Sequence, residues 1–282
     1  MGFVWKLFIG LGIFIVFVLL LALASAGFLV GELKQHGISG HSSYSKDHEY
    51  LYSEASTQDI YAKNKEKLII KDAVGKIEIT GWGGDSVQLQ ATKRADTEEI
   101  LKRLEIAVTK NEDEIQIRSG WDEQKQDIGG AVDYVLKVPD AMEISINQGV
   151  GELHLGNLNG AHLISIDMGV GKLEVVDVTM MDDLKIDMGL GDLFIKGLDA
   201  PMTKVKLDAG RLDLRLRSGG SYMVEGKVGV GDLSISGIEF PGVKISHHGF
   251  FSRTAKIMLG EGDQHLTLEV GMGDLSIAAE KE

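Results

Sequence analysis

The stretch that decides the fold is DMGVGKLEV, Asp167 to Val175. Two glycines flank one apolar residue, a charge follows, and an apolar–polar–apolar triplet closes the phrase. A Gly-x-Gly can cradle a phosphate at a strand-to-helix junction, where a helix dipole stands behind it. Here the phrase recurs as Gly149-Val150-Gly151, Gly169-Val170-Gly171, Gly189-Leu190-Gly191, Gly229-Val230-Gly231 and Gly271-Met272-Gly273. The first three are spaced by 20 residues, and Ala73-Val74-Gly75-Lys76-Ile77-Glu78-Ile79 echoes the phrase upstream. A strand-like triplet follows each time, so a repeated structural corner is the better reading than a phosphate loop.

The phase of the apolar residues locates that corner. Ile164, Ile166, Met168 and Val170 alternate and share one face; the next apolar pair is Leu173 and Val175. The slip falls at Gly171-Lys172, where an extended chain must bend if both sets are to stay inside. Aligning the units gives an inward column Leu153, Leu173, Leu193, Leu212, Leu233, Leu275. "LDAGRLDL" (207–214) fits as a unit with two residues deleted at the bend, and the column before the bend reads Ile146, Ile166, Ile186, Leu207, with Leu268 in the last unit. A fixed period near 20 predicts a β-solenoid in which each coil packs on its neighbours.

Upstream, "KLIIKD", "GKIEITGW" and "SVQLQATK" read as strands and "DTEEILKRLEIAV" as a short helix capped by Asp96 or Thr97. The expected fold class is therefore mainly β. It is a β-solenoid with ~20-residue coils over 142–282, preceded by a small α+β entry module over 67–141 and one N-terminal transmembrane helix within 1–31. Residues 32–66 are polar and aperiodic and read as a juxtamembrane linker; Tyr44, Tyr50, Tyr52 and Tyr61 offer the alternative of a surface that packs on a partner.

From Leu7 to Val30 no residue is charged, and 24 residues at 1.5 Å rise cross a hydrocarbon core of ~30 Å. Trp5 and Lys6 stand where an interfacial anchor would. Ala24-Ser25-Ala26 also fits a cleavage site, but the apolar run continues past it, which favours a retained span and hence a bilayer contact through 7–30. Lys6 before the span leans the body towards the outside of the cytoplasm. A net charge of -13 excludes nucleic acid and anionic head groups as partners. With no cysteine there is neither disulfide nor thiolate chemistry.

Stacking makes distant residues neighbours. The residue after the second glycine reads Glu152, Lys172, Asp192, Arg211, Asp232, alternating in sign as a register-setting ladder would. Two residues before the glycine the first units read Asn147, Asp167, Asp187, Asp208. Three stacked aspartates are either solvated carboxylates or a cation ladder, most plausibly for Ca²⁺. Phe240, His247, His248, Phe250 and Phe251 form either a plug in an irregular unit or an interaction patch. There is no Gly-x-Ser-x-Gly, His-Glu-x-x-His or Walker sequence, and no cofactor motif. The one carboxylate pair considered for polysaccharide cleavage is Glu174 with Asp213, two coils apart at about 10 Å.

"KLIIKDAVGKIEITGWGGDSVQLQATK", "VDYVLKVPDAMEISINQGVGELHL" and the Gly-x-Gly-x-Leu units together resemble a bacterial envelope family commonly labelled "putative adhesin", over residues 67–277. The resemblance implies a β-solenoid-like domain behind a single membrane span at the cell envelope, and it carries no catalytic residues. The functional expectation is a non-catalytic, membrane-anchored scaffold or interaction protein, with a membrane or envelope protein as partner; the alternative is an envelope polysaccharide binder or hydrolase.

Overall fold

The computed structural model describes residues 50–62, 66–121, 129–238, 243–248 and 252–280. The expected span at 7–30 lies outside them. Among the described residues no helix is long and apolar enough to cross a membrane.

The chain from residue 49 onward forms one compact unit. It begins with β1 (Tyr52–Tyr61), β2 (Lys67–Trp82), β3 (Ser86–Ala95), α1 (Glu98–Arg103), β4 (Leu104–Lys110), β5 (Glu114–Trp121) and β6 (Gly130–Pro139). The repeats follow as β7 (Glu143–Gly156), β8 (Asn159–Ala161), β9 (Ile164–Val176), β10 (Thr179–Met180), β11 (Asp183–Lys196) and β12 (Met202–Leu216). Last come β13 (Tyr222–Val230), β14 (Leu233–Ser236), β15 (Val243–His248), β16 (Ser252–Leu259) and β17 (Gln264–Ala279). Residues 52–61, inside the stretch expected to be a linker, form an edge strand antiparallel to β3. The expected helix stops at Arg103, and Leu104, Ile106 and Val108 continue as a strand paired with β5. Six residues suffice for the helix because Thr97 caps it: the Ile100 N–H donates to Thr97 Oγ1 at 3.2 Å.

The chain is mainly β, as its alternation predicts, but the solenoid is corrected. The strands hydrogen-bond into one 15-stranded mixed sheet whose main path runs β1-β3-β6-β2-β7-β9-β11-β12-β17-β13-β16-β15. The reason lies at the glycines. They bend the strand without interrupting its ladder: β9 stays in register with β11 from Ile164↔Leu184 through Gly171↔Gly191 to Val176↔Lys196. A unit is thus one long strand of a common sheet, not a coil divided among separate sheets. Only β8 and β10, between successive strands, pair in a small second sheet.

The sheet also departs from sequence order. The C-terminal strand β17 inserts between β12 and β13, parallel to both. The inward columns survive the rearrangement: Leu153, Leu173, Leu193, Leu212 and Leu275 stand side by side, each 0–1% exposed. Before the bend, Ile146, Ile166, Ile186, Val205 and Leu268 do the same. Val205 takes the place expected for Leu207, because β12 has Asp208 where its neighbours have their first glycine. One residue is lost from the repeat there, not two at the bend.

Candidate functional site

The bends carry the feature most open to a partner. Gly151, Gly171, Gly191 and Gly210 have φ between +140° and +152°, a region that L side chains avoid. Each also lies hard against the backbone of the preceding strand, so no Cβ fits. This double constraint turns the middle residue of each Gly-x-Gly outward. Val170, expected inside with Met168, is therefore on the outside and half-buried.

Across the sheet these middle residues are register partners: Val74, Val150, Val170, Leu190, then Ala209, Met272 and Val230. They form an apolar ridge over seven neighbouring strands. Val150, Leu190, Val230 and Met272 are 44–61% exposed, which is unusual for an unbroken row of this length on a solvated surface. At a strand spacing of ~4.8 Å the ridge is about 29 Å long. Glycines flank most of it, so little stands between the ridge and the columns on either side.

The column after the ridge reads Lys76, Glu152, Lys172, Asp192, Arg211, Asp274. It alternates in sign through six strands. Asp274 occupies the place expected for Asp232, because β17 is the neighbour of β12. Asp232 lies one strand further, where Arg253 pairs with it. Only part of the ladder spends its charge within the chain: Lys76 lies 3.7 Å from Glu78. Lys172 turns to Glu174 at 2.6 Å, and that bond holds its ammonium pKa above the usual lysine value. Among the described residues, Glu152, Asp192 and Arg211 make no ion pair within 4.0 Å.

The column before the ridge reads Lys71, Asn147, Asp167, Asp187, Lys206, Glu269, Lys227. Asp208 is not in it. Lys206 stands beside Asp187 instead, with its Nζ 3.7 Å from Asp187 and 2.9 Å from Asp208. The three aspartates of the cation reading are thus two neighbours and a displaced third, with an ammonium between. Among the described residues no group of three or more candidate ligands could hold a metal. Asn147 donates to Asp167 at 3.4 Å, which relieves one side of the remaining pair.

The row bearing the candidate carboxylates reads Glu78, His154, Glu174, Phe194, Asp213, Ser276. Phe194 separates Glu174 from Asp213, and the Arg215 guanidinium lies over its ring at 5.0 Å. Glu174 accepts from Lys172 and sits 3.3 Å from His154 Nδ1; the lysine bond holds its carboxyl below the usual range. Asp213 is 3.6 Å from Arg215. A glycosidase acid must keep its proton near neutral pH, which requires a raised pKa. The Lys172 bond holds Glu174 in the opposite direction.

Of the aromatic patch, Phe240, Phe250 and Phe251 lie outside the described residues. His247 and His248 fall on β15, the last strand of the sheet, opposite Arg253 and Ser252.

Sequence reasoning missed a buried polar cluster at the first bend. Asp72 is the register partner of Gln148, which in turn neighbours Met168 and then Met188. The core position under each bend is thus polar in the first two strands and apolar in the next. Ser119 donates a short hydrogen bond to Asp72, and Gln148 Nε2 donates to the Gly75 carbonyl at 2.7 Å. Burial pushes the Asp72 carboxyl up to about 6, with the Ser119 bond opposing it, and burial also raises the Tyr134 phenol beside it. The signal was available: a carboxylate at a position whose later counterparts are methionines. Since Asp72, Ser119, Tyr134 and Gln148 are 1–7% exposed, the cluster bears on stability and not on contact with a ligand.

No protein-family model and no curated protein matches the chain. Solved structures to which it is similar include a "putative cell adhesion protein" from Clostridium sporogenes, at 13% identity and TM-score 0.49, covering 81% of this chain and 100% of that one. A "putative adhesin" from Bacteroides fragilis is similar at 16% identity and TM-score 0.35, over 80% and 97% of the two chains. A "putative lipid binding protein" from Parabacteroides distasonis is similar at 10% identity and TM-score 0.32, over the same shares.

Proposed function

We propose that the protein is a non-catalytic docking module whose contact surface is the Gly-x-Gly ridge with its two flanking charged columns. The carrying observation is the unbroken apolar row from Val74 to Val230 over seven strands, exposed at five of its positions and half-buried at Val170 and Ala209. Exposed apolar area of this extent with a polar rim has the anatomy of a protein-binding surface. The ion-paired state of Glu174 and Asp213 supports a role without hydrolysis. In this reading the apolar run Leu7–Val30 tethers the module to a bilayer and the body is displayed outside the cytoplasm.

A photoreactive amino acid placed at Leu190, in cells making the full chain, tests the surface. Adducts are expected at Leu190 and not at Met181, which is 62% exposed but off the ridge. Absence of adducts at Leu190 and at the other ridge positions overturns the reading. A C-terminal tag fully protected from protease on intact cells and spheroplasts removes the outside placement.

A further inference from the structure

We infer that the ridge is covered by a second copy of this chain, related by a twofold axis that runs along the strands between β9 and β11. The inference rests on the ridge being a docking surface and names its occupant.

Charge decides the occupant and its direction. The ladder has six rungs, begins with a cation at Lys76 and ends with an anion at Asp274. An alternating ladder with an even number of rungs is its own complement when reversed. The twofold axis sets Lys172 against Asp192 of the second copy, Glu152 against its Arg211, and Lys76 against its Asp274. All six ladder contacts are then between opposite charges. These are the charges that the chain itself leaves largely unspent: Glu152, Asp192 and Arg211 make no ion pair among the described residues. On the ridge the same operation sets Val170 on Leu190, Val150 on Ala209 and Val74 on Met272.

The other face-to-face twofold axis runs along the ridge and sets the ladder against the opposite column. That places Lys76 on Lys71, Asp192 on Asp187, Arg211 on Lys206 and Asp274 on Glu269. These four like-charge pairings, each made twice, reject it. A lipid surface fits poorly, because a row of alternating sign has no net attraction for head groups and the chain carries -13 overall. The favoured arrangement has two adverse contacts, Asp167 against Asp187 of the second copy and the symmetry-related pair. Ridge and columns together engage about 20 residues a side, the lower end of a standard interface, so a reversible dimer is expected.

The chain has no cysteine, so introduced thiols report without background. Full-length chains carrying Val74→Cys or Met272→Cys are mixed in membranes and treated with a short bismaleimide. The expected product is a 74-to-272 adduct of twice the chain mass. Two Val74 positions lie about 24 Å apart in this dimer, five strand spacings, and should not join. A second pair of variants reads the ladder: Lys76→Glu should reduce the adduct about tenfold, and Lys76→Glu with Asp274→Lys should restore it. Asp187→Asn should increase it. A 74-to-74 adduct overturns the direction of pairing. Adducts from the ridge only to a different protein overturn the second copy while leaving the docking surface standing. No adduct from any ridge position removes both.

Discussion

Gly171 lies against Gly151 so closely that a Cβ on Gly171 would stand 1.8 Å from the Gly151 carbonyl oxygen. The same contact links Gly191 to Gly171 and Gly210 to Gly191, each at 1.8 Å. The bend is therefore propagated from strand to strand by backbone contact. Gly171→Ala meets both the contact and a φ of +148°, and it should cost about 3 kcal/mol or more. Gly160→Ala is the control: its φ is +82° but nothing lies within 4 Å of the added methyl, so about 1–2 kcal/mol is expected. Urea midpoints of the two variants check this, and equal losses would refute the contact as the cause.

Thr203 should be improvable. It is 0% exposed between Leu184 and Leu266, and its hydroxyl has no hydrogen-bond partner among the described residues. A buried hydroxyl left unpaired costs about 1–3 kcal/mol, and valine has nearly the same shape. Thr203→Val should raise stability by about 1 kcal/mol, read as a higher thermal midpoint. A lower midpoint would mean that the hydroxyl is satisfied.

Glu174 separates the ion-pair reading of the outer row from the hydrolytic one. Its contacts with Lys172 at 2.6 Å and His154 at 3.3 Å are partly exposed, so Glu174→Gln should cost less than about 1 kcal/mol. The loss should shrink in molar salt, where such pairs are screened. Hydrolysis of an envelope polysaccharide by the parent chain that disappears in Glu174→Gln would contradict the role given to these carboxylates.

Much of the architecture was legible because period and phase are local. The alternation Ile164, Ile166, Met168 and the slip at Gly171 gave the bend, and the columns through Leu173 and Val175 followed. What was not legible was decided by long-range pairing. Nothing near Arg211 says that β17 inserts beside it, so sequence order sets Asp232 next to Arg211 where the sheet sets Asp274. Asp208 enters the aspartate column only if Gly210 is matched to the first glycine of the other units, whereas the backbone pairs it with the second, Gly191, which puts Lys206 beside Asp187. The ridge escaped notice for a related reason: Val170 continues the inward alternation in sequence, and only the φ of Gly171 turns it out. The solenoid expectation failed at the same place. It treated the bend as the end of a strand, while the ladder carries straight through it.

Asp72 gives the fold a pH dependence of definite sign. Burial raises its pKa in the folded chain to about 6, from a model-peptide value of 3.8. The folded state thus holds the proton more tightly than the unfolded state. Its contribution is fully present below about pH 4 and is lost as pH rises through 6. A shift of this size corresponds to on the order of 1–3 kcal/mol between the two limits. Asp72→Asn keeps an acceptor for the Ser119 hydroxyl and carries no charge to bury. Its stability should therefore vary less between pH 4 and pH 7 than that of the parent, and the variant should gain on the parent as pH rises. Denaturant titrations of both chains across that window check the slope. If the difference between them is constant with pH, Asp72 does not titrate there and the buried carboxyl is held ionised by the hydrogen bonds around it.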